Sequence, residues 1–271
     1  MKKKIFAISD VHGHYKEMIN ALNESGYDEN NNNHLLVVCG DIFDRGTESL
    51  SIYEYLKRLT EENKAIVIRG NHDTMLTDYL SGKSVSPFNY MRNGTNETLA
   101  DFLHQTAPFE TWCIFRNNNN PCYEDFVEFI TSAREEINGE YPELLEWLSN
   151  LPFYYETENY IFTHGGIDVT VKDWHKPRYY PINTYKYIKW DALTWDDGSF
   201  FGKEITNTDK KVVIGHFGTE QLRKMYPEIT KNDKGKDYDI LYRDDGRIIA
   251  LDTTTILSKK VNVLVIEDEI I

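Results

Sequence analysis

Five short apolar runs rich in β-branched residues each break off into a polar cluster, and this repeated junction constrains the fold more than any other feature. Ile5-Phe6-Ala7-Ile8 leads into Ser9-Asp10-Val11-His12-Gly13, and Leu35-Leu36-Val37-Val38-Cys39 into Gly40-Asp41-Ile42-Phe43-Asp44-Arg45-Gly46. Ala65-Ile66-Val67-Ile68 leads into Arg69-Gly70-Asn71-His72-Asp73, Tyr160-Ile161-Phe162-Thr163 into His164-Gly165-Gly166, and Val212-Val213-Ile214 into Gly215-His216. Runs of this length bounded by glycine read as buried strands. Ligands of open α/β sheets sit just beyond the carboxyl ends of such strands. Five strand ends can therefore deliver Asp, His, Asp, Asn, His and His to one crevice.

Segments of helical periodicity separate the first three junctions. One spans 15–22 and another 49–60, where Leu50, Tyr53, Leu56 and Lys57 recur at helical spacing. Strand alternating with helix implies crossover units and a parallel sheet, hence an α/β fold. From about 74 to 155 the pattern becomes helical, with segments at 95–103, 123–137 and 142–148, the last with proline in its first turn. We read this stretch as a helical insert within a single domain, 1–271. Short β segments at 240–242, 247–251 and 261–266 follow, with a hairpin signal at Asp244-Asp245-Gly246, and are expected at the edge of a second sheet. The asparagine runs 30–33 and 117–120 read as solvated loops, and the acidic tail Glu267-Asp268-Glu269 as solvated surface.

The formal net charge of −14 opposes non-specific attraction to nucleic acid. No apolar stretch approaches a membrane span. The basic start Met1-Lys2-Lys3-Lys4 runs into an apolar segment broken by Ser9-Asp10, too soon for a secretory core, so a cytoplasmic location is expected. Cys39, Cys113 and Cys122 show neither a disulfide framework nor a zinc-knuckle spacing.

Hydrolysis of a phosphate ester at a binuclear centre needs two divalent cations about 3.5–4 Å apart with a shared ligand and a bridging hydroxide. Asp10 and His12, two apart on an extended strand end, can hold one cation. Asp41 is the natural bridging carboxylate, and Asn71, His164 and His216 complete the second position. The guanidinium fork of Arg45 matches two phosphoryl oxygens. His72 can protonate the leaving oxygen, with Asp44, or less favourably Asp73, fixing its tautomer. His14 is expected to face solvent at the start of a helix, and His34, His104 and His175 to be surface or partly buried. The aromatic cluster Tyr179, Tyr180, Tyr185, Tyr187, Trp190 and Trp195 reads first as packing and second as a base-stacking platform.

Taken in order, Asp-x-His-Gly, Gly-Asp-x-x-Asp-Arg-Gly, Gly-Asn-His-Asp, His-Gly-Gly and Gly-His resemble the metallophosphoesterase superfamily. More closely, the chain is similar to the bacterial and phage phosphoprotein phosphatase branch, which holds serine/threonine phosphatases and dinucleoside tetraphosphatases. Arg92-Asn93-Gly94-Thr95 followed by Thr98-Leu99, and Ala250-Leu251-Asp252-Thr253, add to this likeness. The resemblance implies a four-layer α-β-β-α sandwich with mixed sheets and two Mn²⁺, Fe or Zn ions. It carries the roles given above onto the same residues. The implied substrate is phosphoserine or phosphothreonine in a phosphorylated protein, or a small phosphorylated molecule. A dinucleoside polyphosphate hydrolase is the alternative, and a binding module that has lost turnover a third reading.

Three departures from the family pattern stand out. The third motif ends in Asp73 where the protein phosphatases carry glutamate. Trp190-Asp191 and Trp195-Asp196-Asp197 occupy the region where a second phosphate-binding arginine is expected, leaving Lys189 or Arg178 as substitutes. Asp252 is followed by three threonines where a glycine is usual.

Overall fold

The computed structural model describes residues 1–83, 93–105, 121–175, 179–181 and 189–271, with the backbone alone at 121–126, 179–181 and 189–191. Its framework is a pair of facing sheets. In the first, β1 (Lys2–Ile8), β2 (His34–Cys39) and β3 (Ala65–Ile68) run parallel, and β11 (Leu264–Glu269) lies antiparallel to β1 at the edge. The second has the order β4-β5-β8-β10-β9. Its parallel centre is β5 (Tyr160–Thr163), β8 (Lys211–Ile214) and β10 (Ile248–Ala250). Antiparallel β4 (Tyr154–Glu156) and β9 (Leu241–Tyr242) flank that centre, and β6 (Tyr179–Pro181) pairs with β7 (Lys189–Asp191) in a separate ribbon.

The period-two alternation of each strand builds the layers. From the first sheet, Phe6, Ile8, Leu36, Val38 and Val67 point outward into a core shared with the helices α1 (Tyr15–Glu24), α2 (Ser49–Glu61), α3 (Asn71–Leu80), α4 (Thr95–Phe102), α5 (Pro121–Glu140) and α6 (Leu144–Ser149). The intervening Ile5, Ala7, Leu35, Val37 and Cys39 point inward and meet Phe162, Val213 and Ile249 of the second sheet. Val212, Ile214 and Ile248 face away on the far side and pack against Leu222 of α7 (Thr219–Met225), Phe200, Phe201 and Trp174. The result is the expected four-layer α/β architecture with mixed sheets. No helix among the described residues is long and apolar enough to cross a membrane.

Several expectations need correction. Segment 261–266 does not extend the second sheet; its strand closes the first, because the acidic end of β11 pairs in register with the lysines that begin β1, Lys2 opposite Glu269 and Lys4 opposite Glu267. The helix after β3 begins at Asn71 rather than after Asp73, with the Asp73 carboxylate accepting the Gly70 N–H at its first turn. Pro142 precedes α6 instead of opening it. The run 117–120 and Cys113 lie outside the described residues, whereas Cys39 is a free, buried thiol.

Asp268 is not solvated surface. At 3 % exposure it accepts hydrogen bonds from Thr157 Oγ1 (2.6 Å), Asn159 N–H (2.8 Å) and Asn159 Nδ2 (2.6 Å), tying β11 of the first sheet to the β4–β5 turn of the second. Burial opposes the Asp268 charge, but the Thr157 and Asn159 donors outweigh it and hold the carboxyl below its usual range. Asp268→Ala strands these donors and should lower stability by about 2–3 kcal/mol in urea unfolding near neutral pH. The carboxylate's contribution is present above the ordinary carboxylate range and fades as pH falls through the depressed value. The mutant–wild-type difference should therefore shrink in acid. A difference independent of pH would show that the charge plays no part.

Candidate metal centre

The strand ends of both sheets converge on one crevice through backbone that is forced out of the ordinary. Asp10, His12, Asp41, Asp44, Arg45 and His216 all have positive φ, between 47° and 71°. Such conformations cost of order 1–3 kcal/mol each for non-glycine residues and persist only where surrounding structure fixes them. Here the loops bind one another. Asp10 N–H donates to Gly40 O (3.1 Å), His12 N–H to Asp41 O (3.0 Å) and Gly13 N–H to Ile42 O (2.9 Å), so the β1–β2 ladder continues past the strands. Gly40 (φ +80°) has no substitute in this packing, because a Cβ there would lie 2.6 Å from His164 Nδ1 and 2.8 Å from Gly70 Cα.

Asp41 sits where two groups of candidate ligands meet. Its carboxylate joins His12 and His72 in one, and His164 and His216 in the other, with the donor atoms of each group within 4.8 Å of one another. Oδ1 accepts the His72 N–H (3.0 Å) and lies 3.2 Å from His164 Nε2; Oδ2 is 3.7 Å from His12 Nε2 and 3.9 Å from His72 Nε2. Asn71 Oδ1 is 3.1 Å from His164 Nε2. His12 Nδ1 donates to Phe43 O (2.8 Å) and His164 Nδ1 to Cys39 O (2.7 Å), which turns each Nε2 inward. Asp10 is more withdrawn than expected. Its Oδ1 is 3.9 Å from His12 Nε2, while Oδ2 accepts the Ser9 hydroxyl and the His216 N–H (2.9 Å).

The electrostatics fit a divalent cation. Burial, and then the Asp252 charge, push the Asp10 carboxyl well above its ordinary range. Burial likewise lowers His12 and His216, the latter to about 3, leaving neutral imidazoles with available lone pairs. Burial alone would lower His164 too, but the adjacent Asp41 carboxylate overrides it and raises His164 to about 10. A buried set of oxygen and imidazole donors short of positive charge suits Mn, Fe or Zn.

Around this centre, the Arg45 guanidinium donates to His12 Nε2 and His72 Nε2, both at 2.9 Å. His72 Nδ1 donates to Asp44 Oδ2 (2.7 Å), the arrangement expected of an oriented imidazole. Asp73 does not orient that ring. Its carboxylate accepts backbone N–H groups of Gly70 (2.7 Å), Asp41 (3.0 Å) and Ile42 (3.2 Å), pinning the second loop to the third. His14 is buried rather than solvated, donating Nδ1–H to His12 O (2.6 Å) and accepting from Lys259 Nζ (3.0 Å). Asp196 is half-buried and accepts the Phe200 N–H (2.7 Å).

Two groups escaped the sequence reading as members of the site. Asp252, 7 % exposed, follows β10 as a sixth strand-end cluster of the same pattern, and the next residues reach the first loop through Thr255 Oγ1–H to Asp10 O (2.7 Å). Thr95 and Thr98 on α4 hold Asp44, and no strand-end signal could have revealed them. Arg178, Tyr185 and Tyr187 lie outside the described residues, as do the side chains of Tyr179, Tyr180, Lys189, Trp190 and Asp191. The Trp195 ring is 5.8 Å from that of His216 and borders a cavity of about 360 Å³ that Asp168, Asp197, Phe200 and Lys203 also line.

Comparison with known proteins gives a consistent picture. The sequence profile of the calcineurin-like phosphoesterases matches residues 3–249. The chain is 31 % identical over 206 residues to Shewanella-like protein phosphatase 1 of Plasmodium berghei, covering 70 % of this chain and 48 % of that protein. It is 29 % identical over 154 residues to the asymmetrical bis(5'-nucleosyl)-tetraphosphatase PrpE of Halalkalibacterium halodurans, covering 51 % and 61 %. It thus spans about half the length of the first relative and three fifths of the second. Among solved structures, a cold-active protein-tyrosine phosphatase of a psychrophilic Shewanella species shares the fold, with a TM-score of 0.53, 16 % identity and coverage of 97 % and 75 %.

The Asp41–His164 pair should make cation uptake at this candidate centre pH-dependent. Below about 10 His164 keeps a proton that a cation must displace, so affinity should rise with pH by up to about tenfold per unit for that one proton. Calorimetric titration of Mn²⁺ in buffers of different ionisation enthalpy, from about pH 6 to about pH 8, would count the proton released. Uptake with no proton release would contradict the pairing.

Proposed function

The chain belongs to the calcineurin-like phosphoesterase family, and on that premise we propose that it is a binuclear metal-dependent phosphatase of phosphomonoesters, acting on phosphoserine or phosphothreonine in proteins. One observation carries the proposal: Asp41 lies at the intersection of two donor groups, with Arg45 and the His72–Asp44 pair reaching the same point. The proposed ligands are Asp10, His12 and Asp41 for one cation and Asp41, Asn71, His164 and His216 for the other. When bound, the cations would neutralise phosphate charge and lower the pKa of water at the site.

The remaining roles belong to the chain itself. Arg45 reaches across the crevice with two N–H groups that can transfer from imidazole nitrogens to phosphoryl oxygens, a charge-assisted fork. Once the Arg45 N–H has moved to the phosphoryl group, His72 Nε2 is free to take up a proton. As water attacks phosphorus in line, the ester P–O bond opposite it breaks, the departing oxygen takes that proton and His72 is left neutral. Asp44 keeps Nδ1–H in place throughout, so only Nε2 faces the reaction. The Shewanella-like relative supports the phosphoprotein reading. The PrpE relative, together with Trp195 and Phe200 lining a cavity beside His216, supports a dinucleoside polyphosphate as the second reading. Asp73, whose carboxylate is committed to backbone N–H groups, favours neither substrate.

Mn²⁺-loaded protein offered a phosphoserine peptide, a dinucleoside tetraphosphate and an aryl phosphate should cleave the peptide and the aryl ester. Cleavage of the dinucleotide alone would sink the leading reading. Asp41→Asn should abolish turnover and weaken the uptake of both cations. His72→Asn should keep its metal content by elemental analysis and lose a factor of ~10²–10⁴ in kcat. Loss of metal in that variant would make His72 a ligand, a role its distance to Asp41 also permits.

A further inference from the structure

We propose that Thr95 and Thr98, at the start of α4, are positioning residues that set proton delivery to the leaving group by fixing Asp44 and, through it, His72. The inference rests on the acid role proposed for His72. Neither threonine lies near a strand end, and each is at least nine-tenths buried, at 4 % and 0 % exposure.

The hydrogen-bond accounting leaves little freedom. Asp44 is fully buried, and its carboxylate can only accept. Oδ1 receives Thr98 Oγ1–H (3.0 Å), and Oδ2 receives Thr95 Oγ1–H (3.1 Å) and His72 Nδ1–H (2.7 Å). Thr98 has one hydroxyl hydrogen, already given to Asp44, so its oxygen must be the acceptor in its other two contacts. These are the Asp44 N–H (2.8 Å) and the Ser49 hydroxyl (3.3 Å), which saturate it. The direction of every bond from Ser49 through Thr98 to Asp44 is thereby determined. Thr95 shares Oδ2 with His72, so its hydroxyl fixes the oxygen that orients the imidazole.

The same turn holds the backbone on which Asp44 sits. Asp44 and Arg45 are consecutive left-handed residues (φ 69° and 71°), a conformation that needs outside support. Thr98 takes the Asp44 N–H, and Gly94 O takes the Arg45 N–H (3.1 Å). At Gly94 (φ +85°) a Cβ would lie 2.3 Å from Arg45 N, so the approach requires glycine. The first turn of α4 therefore clasps both the orienter of the acid and the phosphate clamp.

Proton delivery matters most when the departing alkoxide is a poor leaving group. As water bonds to phosphorus and the ester P–O bond breaks, a serine-type oxygen needs the His72 proton, whereas a nitrophenolate leaves without it. Thr95→Val and Thr98→Val should lower kcat on a phosphoserine peptide by about 10–100-fold with KM little changed, and affect p-nitrophenyl phosphate far less. Thr95→Ser and Thr98→Ser should restore the peptide rate. The ratio of the two rates within one variant does not depend on the folded fraction, so partial unfolding cannot mimic the effect. In metal-free protein, the His72 Nδ1–H proton resonance should move in Thr95→Val and return in Thr95→Ser. Equal losses on both esters, or an unmoved resonance, in the valine variants would overturn the proposal, provided that His72→Asn shows the leaving-group dependence. Equal losses in His72→Asn would overturn the acid role itself, and the proposal with it.

Discussion

A desolvated carboxylate shared among imidazoles governs this molecule. Asp41 is 2 % exposed, and burial alone would push its carboxyl upward; the His164, His72 and His12 rings reverse that and hold it well below its usual range. Each ring must in turn be held at the right height and rotation. Phe43 O, Cys39 O and the Asp44 carboxylate provide this by taking the outward-facing nitrogens of His12, His164 and His72. The surrounding loops can thus be read as a means of keeping one anion in a dry place with several rings around it.

That requirement explains why the fold uses two sheets. A single parallel sheet presents its strand ends along a line, whereas donors around one carboxylate must come from several directions. Here β1, β2 and β3 supply Asp10, His12, Asp41, Asn71 and His72, and β5 and β8 of the facing sheet supply His164 and His216. The sheets must therefore keep their relative position. The inward-facing layer of Ile5, Val37, Phe162 and Val213 does this beneath the site, and Asp268 ties the edges together. Left-handed backbone at six of the strand-end residues is the local consequence, since each chain must turn at once to present its side chain.

The strand-and-cluster pattern was legible because its signals are local. A β-branched run, a glycine and a polar residue within five positions identify a buried strand with something to deliver. What escaped depends on distant pairings. Glu267 and Glu269 are exposed as expected, but Asp268 between them reads as solvated tail until β1 and β11 pair across the length of the chain and turn its side chain inward. Thr95 and Thr98 stand out in the sequence only as part of a family-like segment, and their role emerges when Asp44, some fifty positions earlier, is placed against them. His14 reads as exposed because its burial comes from the segment around Lys259. Asp252 alone carried the local signal, since β10 runs into it just as the other strands run into their clusters.

The charge balance links this architecture to its chemistry. Besides Asp41 and the Asp44 paired with His72, the crevice walls contain Asp10, Asp73 and Asp252, whereas Arg45 is the one arginine or lysine that touches the candidate ligand side chains among the described residues. Asp73 is relieved by backbone N–H groups, and burial together with the neighbouring Asp41 raises it to about 6. Burial pushes Asp10 and Asp252 upward, Asp10 also through the Asp252 charge, although Asp10 Oδ2 accepts from the Ser9 hydroxyl and the His216 N–H and Asp252 Oδ1 accepts the Thr254 N–H. The formal charge of −14 opposes the approach of phosphate to the chain as a whole. Cations would add positive charge at the one place where a phosphoryl group must sit and leave the surrounding surface acidic. In that arrangement, cation occupancy would bear not only on turnover but also on how readily an anionic substrate approaches, since the same charge that activates would also attract.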